Sequence, residues 1–569
     1  MLFYHELMYD FELSRLKEIL GQDVVNNLNE WDITSDEKWS KKKIIEMIYC
    51  LHGNNILKNK EVIEELLYCL PYQELSDFCK QYYPSLSGET QQAVCKKIVD
   101  NWKNNEESLA LLKFLGIENN IFKNDSVETI ETITKTNSTD RFYELFDYQF
   151  YIKQQALNIL NSNKTLARLL IHMPTGTGKT KTAMHIIIHY INFILRKQGL
   201  IIWIAHTKEL LQQAYDTFIK TWKHLGDEEI TVYRIWANNT INDTTSQLSG
   251  IMFCGLQKLM ALKNSNLSLY NRLVTDCRLL IFDEAHKAAA DETRKILESF
   301  MIKKDSMENR FLMGLTATPG RTTEYSPENT KLANMFENRI ISINSNIVAR
   351  MNMGNQEASN TEIEKNIIKY FQNRKILSVM KQERLEYTEI FSDEELKVLQ
   401  RNLRSDDYTK EQLEILAKNK ERNKVILQKL RFLYSERKPT IIFACSVLHA
   451  KMISAMLTID GIPNCVVFGD MSAYEREKAI ESFKDKNNPC NLIINYDVLT
   501  TGFDSTNIQC VFITRPTKSI VLYSQMLGRG LRGPLMGGQE ECLLVDVKDN
   551  LESFDNNETF SYFDSYWNK

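Results

Sequence analysis

The stretch that most constrains the fold is Met173-Pro-Thr-Gly-Thr-Gly-Lys-Thr180. A short apolar run, Leu169-Leu-Ile-His-Met173, leads into it and reads as a buried strand. The segment Thr182–Leu195 that follows is long and apolar enough for a packed helix. A strand, a glycine-containing loop, Lys-Thr and then a helix is the setting in which a loop wraps an anionic phosphate. Gly176 and Gly178 carry no Cβ, so backbone N–H groups can turn inward and approach the anion closely. The new helix adds its positive end. In that arrangement Thr175, Gly176, Thr177 and Gly178 form the cradle, and Lys179 reaches the β- and γ-phosphates of a nucleotide. The Thr180 hydroxyl then ligates Mg2+. The strict pattern has glycine where this chain has Met173.

One such loop needs a second half, and the chain is long enough to hold it. At 569 residues it exceeds a single core and suggests three or four units. The formal net charge is −4, so no global cationic field exists, and any nucleic-acid contact has to come from a local basic groove. The eleven cysteines include no C-x-x-C pair, and several lie in apolar runs. That argues against zinc and against a disulfide framework, and it fits a reducing compartment. The first residues lack a basic-then-apolar leader, and no apolar stretch approaches the ~20 residues of a membrane span. The expectation is a soluble cytoplasmic protein with no membrane partner.

Residues 1–140 show helical periodicity, as in Phe11-Leu13-Leu16-Ile19-Leu20, and predict an all-helical accessory domain. Similar stripes recur in Lys43–Leu51, Val62–Leu70 and Ala93–Trp102. The Lys41-Lys42-Lys43 run is either a phosphate contact or a solvated face. From residue 141 to 350, near-continuous apolar strands alternate with helices, which predicts an α/β unit with a parallel sheet covered on both faces. A second α/β unit without its own phosphate loop spans 438–569. Between them, 351–437 is charged and helical by pattern, and predicts an insertion or arm. Functional residues are then expected at the carboxyl ends of the strands.

Several runs end in such residues. Asp283-Glu-Ala-His286 closes an apolar strand about a hundred residues after Lys179. Asp283 suits Mg2+ through its water shell, and Glu284 suits polarisation of an attacking water. Thr316-Ala-Thr318-Pro-Gly-Arg321 ends the next strand with small hydroxyls able to bond the acidic pair or a neighbouring lobe. In the second unit Gln525-Met-Leu-Gly-Arg529-Gly-Leu-Arg532 sets two arginines three apart, which on a helical turn face one way. Arginine is always charged and fork-shaped, and suits a γ-phosphate in a loose transition state.

Together these segments resemble the superfamily 2 helicases and translocases, over roughly 141–569. The resemblance implies two RecA-like lobes with ATP and Mg2+ between them, Arg529 and Arg532 as arginine fingers, and His286, Thr316, Thr318 and Gln525 coupling hydrolysis to motion. Asn495-Tyr-Asp-Val-Leu-Thr500-Thr501-Gly502-Phe-Asp504 resembles the family's motif V, which implies Thr500 and Thr501 near nucleic acid and Gly502 and Asp504 near nucleotide. Thr207, Lys208 and Gln257 match strand-end positions that grip a nucleic-acid backbone, contacts that give affinity without reading sequence. Gln149, thirty residues before Lys179, resembles the upstream glutamine that recognises adenine, with Gln154 as its rival. Asp-Glu-Ala-His with Gly-Arg-Gly-Leu-Arg is most similar to the motor subunits of type I and III restriction enzymes. The RNA-acting branch usually shows His-Arg-x-Gly-Arg-x-Gly-Arg, where this chain has Gln525 and Leu531. The resemblance therefore implies a DNA helicase or translocase, serving bacterial defence or repair with a partner nuclease. Its rivals are an RNA-remodelling helicase and an ATP-gated scaffold that recruits a protein partner through residues 1–140.

Overall fold

The computed structural model describes residues 4–31, 39–84, 89–118, 120–122, 133–136, 143–162, 166–195, 198–236, 239, 247–302, 310–320, 327–343, 367–388, 390–400, 407–469, 471–500, 502–503 and 505–549. Thr501 and Asp504 lie outside these residues.

The first sheet has eight strands: β1 (Ile133–Thr136), β2 (Leu166–His172), β3 (Leu200–Ala205), β4 (Ile230–Ile235), β5 (Gly250–Gly255), β6 (Cys277–Asp283), β7 (Arg310–Thr316) and β8 (Ile340–Ser342). Their order is β1-β4-β5-β3-β6-β7-β2-β8, parallel throughout except that β1 runs antiparallel to β4. Alternation along β3 shows why its sequence is apolar at every position. Ile201, Trp203 and Ala205 enter the core on one face, whereas Leu200, Ile202 and Ile204 enter the core on the other. A strand buried on both sides has no position left for a polar residue until it ends.

The second sheet has six parallel strands in the order β11-β12-β10-β13-β14-β9. They are β9 (Val379–Leu385), β10 (Thr440–Phe443), β11 (Cys465–Val467), β12 (Leu492–Asn495), β13 (Cys510–Ile513) and β14 (Glu541–Val547). Here the structure departs from the sequence reading of 351–437 as a purely helical arm. Within that span β9 pairs along its whole length with β14, and the helix Lys420–Ser435 packs into the core of the second sheet. β9 and the helix Lys420–Ser435 are therefore built into the second lobe, whereas the segment before β9 reaches the first, with Phe371 against Tyr148 and Arg374 bonded to Asp147.

The amino-terminal region is helical over its described residues 4–122, but β1 at 133–136 departs from the all-helical expectation for 1–140 and joins the first sheet, and the helical core is not separate. Leu16, Ile44, Ile48, Leu66 and their neighbours form one continuous apolar cluster with Ile442, Leu492, Ile494 and Phe512, which are one face of the second sheet. The contact runs through the helix Lys41–His52, which lies against the helix Val447–Ile459. Ser40 caps the first of these by accepting from the Lys43 N–H, and the Lys43 ammonium donates to the Thr458 carbonyl at 3.0 Å. Lys41 donates to the Tyr9 carbonyl at 2.8 Å. Two members of the lysine run are thus structural pins rather than a free basic patch.

This shared core makes a prediction. Removing residues 1–122 strips one face of the second sheet of its cover and leaves an apolar patch well above what a soluble monomer carries. The truncated chain is expected to aggregate or unfold, as read by size-exclusion chromatography and thermal melting. A soluble, monomeric truncation with an unchanged melting profile overturns the shared core.

Candidate nucleotide site and interlobe groove

β2 delivers the phosphate loop between β7 and β8, at the carboxyl edge of the first sheet. The loop turns through Gly176 at φ 86° and Gly178 at φ 82°, left-handed conformations that a side chain would strain. At Gly178 a Cβ would also come within 2.4 Å of the Gln149 amide nitrogen. The helix Lys179–His189 starts from Gly178, so its first N–H groups face the loop. Two residues upstream hold the loop in shape. Tyr148 donates its hydroxyl to the Thr177 carbonyl at 2.8 Å, and Gln149 donates to the same oxygen at 2.9 Å. Gln149 is fully buried and its own amide oxygen accepts from the Phe146 N–H. The structure thus places Gln149 against the phosphate loop. Tyr148 is a partner that sequence reasoning missed, although it stands directly beside Gln149.

The acidic pair sits across from Lys179. Glu284 adopts a left-handed backbone, φ 53° and ψ 53°, a strained choice for a residue with a side chain. Its carboxylate lies 3.9 Å from the Lys179 ammonium and 3.3 Å from His286 Nδ1. Burial works to raise the Glu284 carboxyl, but Lys179 and then His286 overcome it and hold the group below the usual carboxylate range. Asp283 goes the other way: burial pushes it up to about 6 despite Lys179. Two adjacent carboxyls with opposite tendencies suit different tasks. Glu284 is held as an anion, the form a base needs, while Asp283 is a buried acid short of positive charge.

His286 Nδ1 also lies 3.4 Å from the Thr316 hydroxyl, which donates to the Thr318 carbonyl at 2.7 Å. The Thr316 hydroxyl therefore reaches the acidic pair through His286 and does not bond either carboxylate directly. These observations fit a Mg2+-bound nucleotide. The loop turns through two left-handed glycines at the start of a helix, Asp283 is a buried oxygen donor that a cation would keep ionised, and Thr180 follows Lys179 on the helix.

The second lobe closes over the loop with backbone rather than with its arginines. A Cβ on Gly528 would meet the Thr175 side chain at 2.4 Å, and one on Gly176 would lie 3.2 Å from Leu377 and 3.5 Å from the Leu531 carbonyl. The sequence reading set Arg529 and Arg532 on one helical turn. In the structure the helix Ile520–Leu527 has already ended, Arg529 stands in the following turn, and Arg532 pairs in extended backbone with Leu377. Glycines at 528, 530 and 533 break the helix there. Arg529 donates to the Phe503 carbonyl and, at 3.2 Å, to that of Gln525, so its guanidinium is held by its own lobe.

A groove of about 1410 Å3 crosses both lobes. Thr207, Lys208 and Gln257 line it from the first lobe, and Arg476, Lys484 and Gly502 from the second. The Thr207 hydroxyl caps the helix Lys208–Leu225, accepting from the Leu210 N–H at 3.3 Å. Two motif V residues differ from expectation. Gly502 packs against Glu209 and Leu210 in the groove wall rather than beside the phosphate loop. Thr500 is buried and donates to the Asp497 carbonyl at 2.9 Å, so its hydroxyl is spent within its own turn. Sequence reasoning also missed a clasp across the groove, Arg476 to Glu209 at 2.8 Å, because the partners are 267 residues apart. Gln525 lies in a smaller interlobe cavity of about 350 Å3 with His206 and His286. Among the described residues, no three His, Cys, Asp or Glu side chains gather as a metal cluster, and no helix is long and apolar enough to cross a membrane.

Comparison with known proteins agrees with this geometry. Residues 142–321 match the family of the type III restriction enzyme res subunit, and 421–533 match the helicase conserved C-terminal domain. A Schizosaccharomyces pombe protein named as a mitochondrial ATP-dependent helicase, irc3, is 28% identical over 413 residues, 72% of this chain and 58% of its own length. Its Saccharomyces cerevisiae counterpart by name, the ATP-dependent helicase IRC3, is 24% identical over 385 residues, 67% of this chain and 48% of that protein. The chain thus spans about half the length of these curated relatives. Among solved structures, Saccharomyces cerevisiae Dbp5 bound to RNA and ADP BeF3 aligns with 73% of this chain and 87% of its own, at a TM-score of 0.45 and 15% identity. With two parallel-sheet lobes, a phosphate loop facing an Asp-Glu-Ala-His box, and matches to both helicase domains, the chain carries the two domains of a superfamily 2 helicase and is related to the type III restriction-like branch.

Proposed function

We propose that the protein is a nucleic-acid-stimulated ATPase that moves along DNA, using ATP and Mg2+. The observation that carries the reading is where the phosphate loop lies. It sits at the contact between lobes, with Thr175 against Gly528, and a separate groove also draws walls from both lobes. Nucleotide bound there changes how the lobes meet, and a strand in the groove moves with them. Lys179 and the loop hold the phosphates, Asp283 and Thr180 would hold Mg2+, and Glu284 takes the proton from water as it attacks. Arg529 would exchange the Phe503 carbonyl for a γ-phosphate oxygen, a stronger, charge-assisted partner. Thr207, Lys208 and Gln257 contact the backbone of the track, so binding is expected to weaken as salt rises.

DNA is favoured over RNA by Gln525 and Leu531 in the Gly-Arg-Gly-Leu-Arg segment and by the match to a restriction-enzyme family. A cytoplasmic role in defence or repair beside a partner nuclease fits the same branch. The test is the ATPase rate without nucleic acid, then with duplex DNA, single-stranded DNA and RNA. Stimulation several-fold greater with DNA is the expected result. Stronger stimulation by RNA reassigns the track, and no stimulation by any of them overturns the motor.

A further inference from the structure

Outside the nucleotide site and groove, one cluster of reactive side chains has no part in the mechanism. Cys465 opens β11, and Cys490 stands two residues before β12, the neighbouring strand. Their Sγ atoms are 2.7 Å apart, about 0.7 Å beyond the length of a disulfide. A small side-chain adjustment therefore joins them without moving either strand. The two strands are parallel, so both thiols sit at the amino ends, opposite the carboxyl end of β11, after which Gly469 lines the groove. Cys50 approaches the same place on the helix Lys41–His52. Its thiol is already engaged, 3.3 Å from the Ser454 hydroxyl and 3.6 Å from the Asn464 carbonyl.

We propose that Cys465 and Cys490 are a modification site, a thiol pair that peroxide oxidises reversibly to a disulfide within the second lobe. The hydrogen bond from Cys465 lowers the Cys490 thiol below its ordinary value and raises that of Cys465. One thiolate of the pair takes one peroxide oxygen, the O–O bond breaks, and the other oxygen leaves as water after gaining a proton. The other sulfur then attacks the resulting sulfenic acid, the S–S bond forms, and the second oxygen leaves as water. Two thiols lose two electrons and two protons, and one peroxide becomes two waters. The product ties the segment before β12 to the start of β11, closing a loop across 25 residues.

The experiment uses the full-length protein, reduced, exposed to a small excess of hydrogen peroxide, alkylated, and digested without reductant for mass spectrometry. The expected result is a cross-linked peptide pair containing Cys465 and Cys490, lighter by two hydrogens than the two free peptides and separated by dithiothreitol. In Cys465→Ser and Cys490→Ser the linked pair disappears, while Cys79→Ser retains it. Two results overturn the proposal: both cysteines remaining alkylatable while thiols elsewhere oxidise, or Cys490 appearing linked to Cys50. The wild-type map alone decides the question even if a variant folds poorly.

Discussion

Glu284→Gln is expected to lower the rate of ATP turnover by ~10²–10⁴-fold, the usual contribution of a positioned general base, while nucleotide binding is retained. The amide has nearly the shape of the carboxylate, so it can hold the position 3.3 Å from His286 and the left-handed backbone at φ 53°. What it loses is the negative charge. Lys179, 3.9 Å away, and His286 hold Glu284 ionised against the cost of burial, and that anion is the proton acceptor in the proposed reaction. The matching variant, Lys179→Ala, removes a phosphate contact as well as the charge partner of Glu284, so it should lose both turnover and nucleotide affinity. The pair of variants separates chemistry from binding. Steady-state ATPase assays together with titration of a fluorescent nucleotide read both quantities. Turnover within a factor of two of wild type in Glu284→Gln would sink the assignment of Glu284 as the base. Unchanged nucleotide affinity in Lys179→Ala would place the phosphates elsewhere.

Much of this site was legible because its chemistry lies next to strong structural punctuation. Parallel strands buried on both faces are short apolar runs, so the residue that ends the run announces itself. Asp283 ends β6 and Thr316 ends β7 in this way. Edge strands send no such signal. β9, Val-Met-Lys-Gln-Glu-Arg-Leu, lies at the sheet's edge and is half exposed. It places Lys381 against Glu541 and Glu383 against Lys429, so its charges read as a solvated helix. β1, Ile-Thr-Lys-Thr, is hidden by the same polarity at one edge of the first sheet. Loop carbonyls were equally invisible. Arg529 follows the Phe503 oxygen, and nothing in the spacing of Gly-Arg-Gly-Leu-Arg encodes that choice. The amino-terminal helices were readable from their stripes, but a stripe does not name the surface it will cover. Only the packing of Lys41–His52 on Val447–Ile459 makes the helical region part of the second lobe.

Arg422→Ala is expected to destabilise the second lobe by about 3–5 kcal/mol, the range for breaking a buried ion pair from one side. Arg422 is wholly enclosed at the start of the helix Lys420–Ser435. Its Nε donates to one Asp549 oxygen at 2.8 Å and its Nη2 to the other at 2.9 Å, a two-pronged pair, and Nη2 also donates to the Thr514 carbonyl. Burial alone would drive the guanidinium towards losing its proton, and Asp549 more than offsets that by raising its pKa. The pair fastens the helix to the carboxyl end of β13 and to the turn after β14. Beside it, the Asn423 amide oxygen accepts from His449 Nε2 at 2.9 Å, and Cys445 donates to the Thr514 carbonyl at 3.0 Å, so the polar network is continuous. Removing Arg422 leaves Asp549, with a side chain only 8% exposed, as an unpaired charge in a nearly dry site. Neutralising both ends should relieve that penalty. Arg422→Met combined with Asp549→Leu is expected to recover most of the loss, because a well-packed apolar pair can replace a buried ion pair at little cost. Thermal and denaturant melts of the single and double variants form the cycle that measures the coupling. A single variant within 1 kcal/mol of wild type would mean that water already reaches the pair. A double variant no better than the single would mean that the helix is held by the shape of the guanidinium and its bond to Thr514, rather than by charge balance with Asp549.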